Sequence, residues 1–129
     1  MIGDEPLLEP LARLFRFRKG IEQLDKRKPI IIVDLGCGQN IPFYYFAIRK
    51  GLKIQKYFGI DPLLSKKIIQ KYNKTYKVQL IKNSLKKKIP LPSSTVDYVI
   101  SFATLEHFDD PKGILNDAIR ILKNGGKII

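Results

Sequence analysis

From residue 30 onward the chain alternates short β-branched apolar runs with longer segments whose apolar residues recur at helical spacing. Ile30 to Val33, Lys56 to Ile60, Val78 to Ile81 and Val96 to Phe102 predict four strands. Their near-continuous apolar character is that of strands covered on both faces, as in parallel sheets flanked by helices. Between them, Pro42 to Lys50 predicts a helix with proline in its first turn. Ser65 to Lys74 predicts a helix that turns Ile68, Ile69 and Tyr72 inward. Asp110 offers an N-cap with Pro111 at the first helical position, and Ile114, Leu115, Ala118, Ile119 and Leu122 follow as one apolar stripe. Asn124-Gly125 reads as a left-handed cap closing that helix, after which Gly126 to Ile129 opens a fifth strand.

Ahead of the first strand, Leu7, Leu8, Leu11, Leu14 and Phe15 make an amphipathic helix that Pro10 interrupts early. A second short helical stretch runs from Gly20 to Lys26, and Pro29 ends this lead-in. The alternation of strand and helix predicts an open, doubly wound, mostly parallel α/β sheet. It divides the chain into a helical lead-in over residues 1–28 and a sheet domain over 29–129, with no internal repeat or interdomain linker.

The length of 129 residues suits one domain, and 44% apolar residues are enough for a core. No apolar run approaches the ~20 residues of a membrane span, and the charges among the first twenty positions do not fit a secretory signal. The single cysteine, Cys37, excludes a disulfide framework and a cysteine-cluster metal site, so the expected setting is the reduced cytoplasm. The net charge of +12 can mark nucleic acid, anionic lipid or an acidic substrate. Lysine outnumbers arginine 18 to 6 and occurs along the whole chain, which favours the plainer reading of a solvated surface. Lys86-Lys87-Lys88 is the densest cluster, in a loop where its charges stay hydrated.

The chemistry concentrates in Val33-Asp34-Leu35-Gly36-Cys37-Gly38-Gln39-Asn40. A buried strand runs into a glycine turn and a helix follows at once. Glycine permits a tight backbone and close approach of a ligand, and the helix N-terminus behind it favours anionic groups. A strand–helix turn can need glycine for its shape alone, so the neighbouring residues matter. Asp61 ends the second apolar run, on the side where open α/β sheets hold their ligands. A carboxylate there can accept both hydroxyls of a ribose, although it can also cap the next helix.

These residues resemble the motifs of class I S-adenosylmethionine-dependent methyltransferases, the type 11 group in particular. Asp34-Leu-Gly-Cys-Gly38 is similar to the family's first motif, and Tyr57-Phe-Gly-Ile-Asp61 to its second strand with the ribose-binding acid. Val96-Asp97-Tyr98-Val99-Ile100-Ser101 resembles the fourth strand, Leu105-Glu106-His107-Phe108 with Asp109-Asp110-Pro111 the "LEH…DP" segment, and Ala118 to Gly126 the approach to strand five. The resemblance implies a Rossmann-like fold and S-adenosyl-L-methionine as cofactor. It implies contacts from Asp34, Gly36, Cys37, Gly38 and Asn40 in the turn, Asp61 and Pro62, Asn83 and Ser84, and Ser101 and Phe102, with no metal. His107, the one histidine, is a candidate for substrate contact or base chemistry, against a packing or capping role.

The sequence departs from the family pattern at three places. Asn40 stands where a third glycine is usual, and asparagine is among the residues that accept left-handed backbone. Asn83-Ser84 replaces the acid that often meets the adenine amino group, and Asn124 replaces a proline before the paired glycines. A nicotinamide-binding Rossmann domain is the rival, but its fingerprint needs glycine where Ile41 stands.

The family's sheet has seven strands, so the resemblance implies a C-terminally incomplete sheet of about five. Its exposed fifth strand would invite oligomerisation or aggregation. The type 11 likeness points to a small-molecule, lipid or saccharide acceptor. Ser101-Phe102-Ala103-Thr104 occupies the place where base-amine methyltransferases carry Asn/Asp-Pro-Pro-aromatic. The alternatives are a catalytically impaired cofactor-binding or regulatory module, and an RNA methyltransferase suited to the basic charge.

Overall fold

The computed structural model describes residues 5–86, 88–102 and 108–129. The elements follow in the order α1 (Glu5–Ile21), β1 (Ile30–Leu35), α2 (Pro42–Arg49), β2 (Ile54–Ile60), α3 (Lys66–Tyr72), β3 (Val78–Ile81), β4 (Val96–Ile100), α4 (Pro111–Ile121) and β5 (Leu122–Ile128). The five strands form one parallel sheet in the order β3-β2-β1-β4-β5. This is the doubly wound α/β sheet that the apolar runs predict.

Alternation along β1 divides its side chains between two cores. Ile30 and Ile32 face one layer with Phe17, Ile21, Phe43 and Tyr57, and Ile68, Ile69 and Tyr72 of α3 pack against it. Val33 and Leu35 face the other, with Ile114, Ala118 and Ile121 of α4 and the loop residues Leu85 and Ile89. The chain therefore leaves β1 toward α2 on one face, while α4, after β4, covers the opposite face. The adjacent carboxyl ends of β1 and β4 form the switch point where such sheets open a crevice. Phe17, Ile21 and Leu24 of the N-terminal segment are buried in the same layer as β1.

Two expectations at the ends change. Pro10 lies inside α1, which runs unbroken to Ile21 and is followed by turns, so the separate helix over 20–26 does not form. The missing proline N–H removes one helical hydrogen bond without ending the helix. At the other end α4 stops at Ile121 rather than at Asn124-Gly125. Leu122 is already extended (φ −72°, ψ 138°) and pairs with Val96. Residues 123–126 then bulge before Lys127 pairs with Tyr98. The glycines serve this bulge: Gly125 has φ 82°, and a Cβ on Gly126 would sit 2.9 Å from the Asp97 carbonyl oxygen. β5 is an edge of the described sheet.

Candidate functional site

The turn after β1 sits at the switch point. Gly36 (φ 77°) and Gly38 (φ 78°) both use left-handed backbone, which side chains other than glycine adopt at a cost. Asp34, Gly36, Cys37 and Gly38 line a cavity of about 190 Å³ with Pro42, Phe43 and Phe102. Arg13, Arg16 and Phe17 of α1 close it from above. Phe102 packs edge-on to Phe17 (5.1 Å between centroids) and against Phe43 (4.9 Å), so the end of β4 and α1 meet over the turn. Gly20 makes that approach possible, since a Cβ there would lie 2.5 Å from the Phe102 ring.

Asp34 is buried, and its Oδ2 accepts the Tyr57 hydroxyl at 2.5 Å. Burial pushes its pKa up to about 7, the Tyr57 hydrogen bond opposes that rise, and the nearby Asp61 charge adds to it. Burial pushes the Cys37 thiol up as well, and its side chain points at Gly59 rather than into a reactive position. Cys37 offers the cavity backbone and shape, not a thiolate.

Asp61 stands just outside this cavity and is bound to it through the turn. Its Oδ2 accepts the Gly38 N–H at 3.1 Å, and its Oδ1 accepts the Leu63 N–H at 2.9 Å. Gln39 fastens the same two loops: its amide donates to the Leu63 carbonyl and accepts the Ser65 N–H. Pro62 is half-buried beside Asp61. The Asn83 N–H reaches the Asp61 carbonyl oxygen at 3.4 Å, and its side-chain oxygen accepts the Leu85 N–H at 2.6 Å. That local bond supports Leu85 at φ 58° and occupies part of the acceptor capacity expected to face a ligand. Ser84 is half-buried beside it. The Ser101 hydroxyl donates to the Leu35 carbonyl at 3.2 Å, which ties the end of β4 to the end of β1.

Asn40 is placed differently from expectation. It is exposed, it borders a separate groove with Pro10, Arg13 and Tyr45, and the left-handed residue is its neighbour Ile41 (φ 40°, ψ 59°). Ile41 precedes Pro42, which disfavours right-handed helical backbone. Its side chain is fully buried. Burying an isoleucine contributes about 1.5–3 kcal/mol, which offsets the ~1–2 kcal/mol of left-handed geometry. His107 lies outside the described residues.

Five of the eleven proposed contact residues thus line one cavity and Asp61 is hydrogen-bonded to its turn, while Asn40, Pro62, Asn83, Ser84 and Ser101 are not among the residues that line it. The residues that sequence reasoning passed over are Tyr57, Gln39, Gly59 and the α1 side chains Arg13, Arg16 and Phe17. Tyr57 had a signal, as a tyrosine within a strand predicted to be fully buried must find a polar partner.

The cavity is smaller than the ~300–1,000 Å³ of a pocket that encloses a drug-sized ligand. It has room for only part of such a molecule. A buried carboxyl beneath the turn and a second acid on the adjoining loop, hydrogen-bonded to Gly38, suit a ligand with a cationic amino-acid end and a ribose.

A family model for the methyltransferase domain matches residues 33–129. Among solved structures, the chain is similar to a Haloferax volcanii protein described as a methyltransferase, in complex with the Trm112 methyltransferase activator (23% identity, TM-score 0.72, 98% of this chain and 53% of that one). It is similar to an S-adenosylmethionine-dependent methyltransferase from Aquifex aeolicus (25% identity, TM-score 0.63, 86% and 60%). It is also similar to one from Mesorhizobium loti (23% identity, TM-score 0.65, 87% and 49%). The chain spans about half of the length of these structures.

Proposed function

This chain belongs to the methyltransferase-domain family, and on that premise we propose that it is the cofactor-binding part of an S-adenosylmethionine-dependent methyltransferase acting on a small-molecule, lipid or saccharide acceptor. The observation that supports this best is the bond from the Gly38 N–H to Asp61, which joins the two acids and the glycine turn into one site. When bound, S-adenosylmethionine supplies an electrophilic methyl group on a sulfonium cation.

The chain's own residues then bind, orient and exclude water. Asp34 offers its buried carboxyl to the cationic amino-acid end, and Gly36 and Gly38 let the backbone approach closely. Asp61 offers its remaining acceptor capacity to the ribose hydroxyls, held in place by the Gly38 and Leu63 amides. Pro62, Asn83 and Ser84 would hold the adenine. Phe17, Phe43 and Phe102 keep water from the cavity. Methyl transfer from a sulfonium needs alignment, desolvation and a deprotonated nucleophile, so no general base is assigned.

Ser101-Phe102-Ala103-Thr104 supports an acceptor other than a nucleobase amine, as it lacks the amide-and-stacking arrangement of that chemistry. Isothermal titration with S-adenosylmethionine tests the cofactor. Methyl incorporation into saccharide, lipid and RNA pools by the protein tests the acceptor. Absence of binding removes the whole reading, and incorporation into RNA alone removes the acceptor class.

A further inference from the structure

Cations occur along the whole chain, but acids do not. Of the 24 Lys and Arg, thirteen lie between Arg49 and Val96; of the 12 Asp and Glu, only Asp61 does. This segment therefore carries the entire +12, and the remainder of the chain is neutral. Eight of these cations fall between Lys53 and Lys82, the stretch that holds β2, α3 and β3, and β3 is the terminal strand of the sheet; the crossover to β4 carries Lys86 and Ile89 away to Asp109 and Asp117. Asp61 is turned to the site, with both carboxylate oxygens on the Gly38 and Leu63 amides.

The outward face of α3 and the turn after it presents Lys66, Lys67, Gln70, Lys71 and Lys74, all exposed. Their spacing puts them on one side of the helix. Among the described residues these four lysines make no ion pair. A surface that is merely solvated disperses acids among its lysines, which lowers self-repulsion; here the repulsion is left in place. At the end of this face the Tyr76 ring is 80% exposed, with the Lys56 ammonium 4.1 Å from its centroid.

An anionic bilayer calls for an apolar stripe beside the cations. The two large exposed apolar side chains of this segment, Leu63 and Tyr76, stand at opposite ends of α3, with lysine and glutamine between them. A phosphate chain needs no such stripe, and it gains from an exposed aromatic ring on which bases stack. We propose that the α3 face is a docking surface for single-stranded nucleic acid, its lysines taking phosphates and Tyr76 stacking on a base. The surface is independent of which acceptor the cavity serves.

The test is fluorescence anisotropy of a labelled single-stranded RNA of about 15 nucleotides with the full chain, from about 50 to about 300 mM salt. Four phosphate contacts give a log–log salt slope of about −3. The triple substitution Lys67→Gln/Lys71→Gln/Lys74→Gln should lower affinity about tenfold or more and make the slope shallower by about 2. Tyr76→Ala should lower affinity severalfold with the slope unchanged. A control triple with the same charge loss, Lys26→Gln/Lys112→Gln/Lys127→Gln, should stay within about twofold of the parent if the surface is local. Equal loss in both triples overturns the proposal in favour of net-charge attraction. Tighter binding of duplex than of single strand, or binding to phosphatidylserine vesicles at salt that releases RNA, overturns it too. S-adenosylmethionine titration of the same variants reads the cavity separately, so a failure there is distinguishable from a failure here.

Discussion

The Tyr57 hydroxyl and the Asp34 carboxylate meet at 2.5 Å, both buried on the face of the sheet beneath the glycine turn. The β1–β2 register explains the meeting. Ile32 pairs with Tyr57 and Asp34 pairs with Gly59, so Asp34 and Tyr57 share a face, one pleat apart. Burial first, then the Asp34 charge, holds the Tyr57 pKa well above the usual phenol value, so the hydroxyl remains a donor. Asp34 itself is raised to about 7 by burial.

That shift ties stability to pH. The unfolded chain gives up the Asp34 proton near the ordinary value of 3.8, while the folded chain keeps it until about 7. Between these values the folded form binds more protons, so its stability falls as pH rises through that window. Asp34→Asn keeps an acceptor for Tyr57 and has no proton to lose. Its melting temperature relative to the parent should rise from pH 5 to pH 8, by about 5 °C. Parallel melting profiles for parent and variant across that range would show that Asp34 titrates normally.

Gly59 is required by its neighbours rather than by its backbone. A Cβ there would lie 2.7 Å from Leu80 Cδ2, 2.8 Å from Cys37 Sγ and 3.1 Å from Cys37 Cβ. Gly59→Ala should cost ~1–3 kcal/mol in urea unfolding through overpacking. Cys37→Ala in the same chain should restore part of that loss, since it removes the closer of the two Cys37 atoms. A double-mutant cycle with no coupling between the two sites would count against this packing.

Ser94 is exposed with φ 55°, and Gly51 has φ 89° with nothing near its missing Cβ. The two positions isolate backbone strain from packing. Ser94→Gly should stabilise the chain by up to ~1 kcal/mol, as relief of left-handed strain outweighs the added chain entropy. Gly51→Ala should destabilise it by ~1–2 kcal/mol. Changes of the opposite sign in thermal melts would exclude left-handed backbone at these sites.

The first four strands and the glycine turn were legible because β-branched runs and glycines act locally. The features that escaped depend on tertiary choices. The proposed Asn124-Gly125 cap is locally reasonable, but Leu122 gains more by pairing with Val96, and the glycines are used in the bulge. Asn40 suits left-handed backbone better than isoleucine does, yet the buried side chain of Ile41 takes that conformation. Tyr57 could be paired with Asp34 only once the strand register was known. The charge asymmetry around Asp61 was present in the sequence throughout, but it becomes a surface only when β3 is seen to be the sheet edge.

Asp61 carries two structural bonds besides its proposed role with the ribose, and its substitution has to separate them. Asp61→Ala removes the acceptor of the Gly38 and Leu63 amides together with the ribose acceptor. It should weaken S-adenosylmethionine binding by ~1–3 kcal/mol in isothermal titration, since charge-assisted hydrogen bonds are lost. Asp61→Asn keeps one acceptor oxygen and can hold one of the two amides. Gly36→Val acts by another route, forcing a β-branched residue into φ 77° and placing side-chain atoms at the cavity wall. It should weaken binding more than Asp61→Ala does. If Asp61 serves the ligand, Asp61→Asn should lose affinity while melting close to the parent. If it serves only the loops, Asp61→Asn should bind like the parent. Parent-like binding by both Asp61→Ala and Gly36→Val would move the cofactor away from this turn altogether.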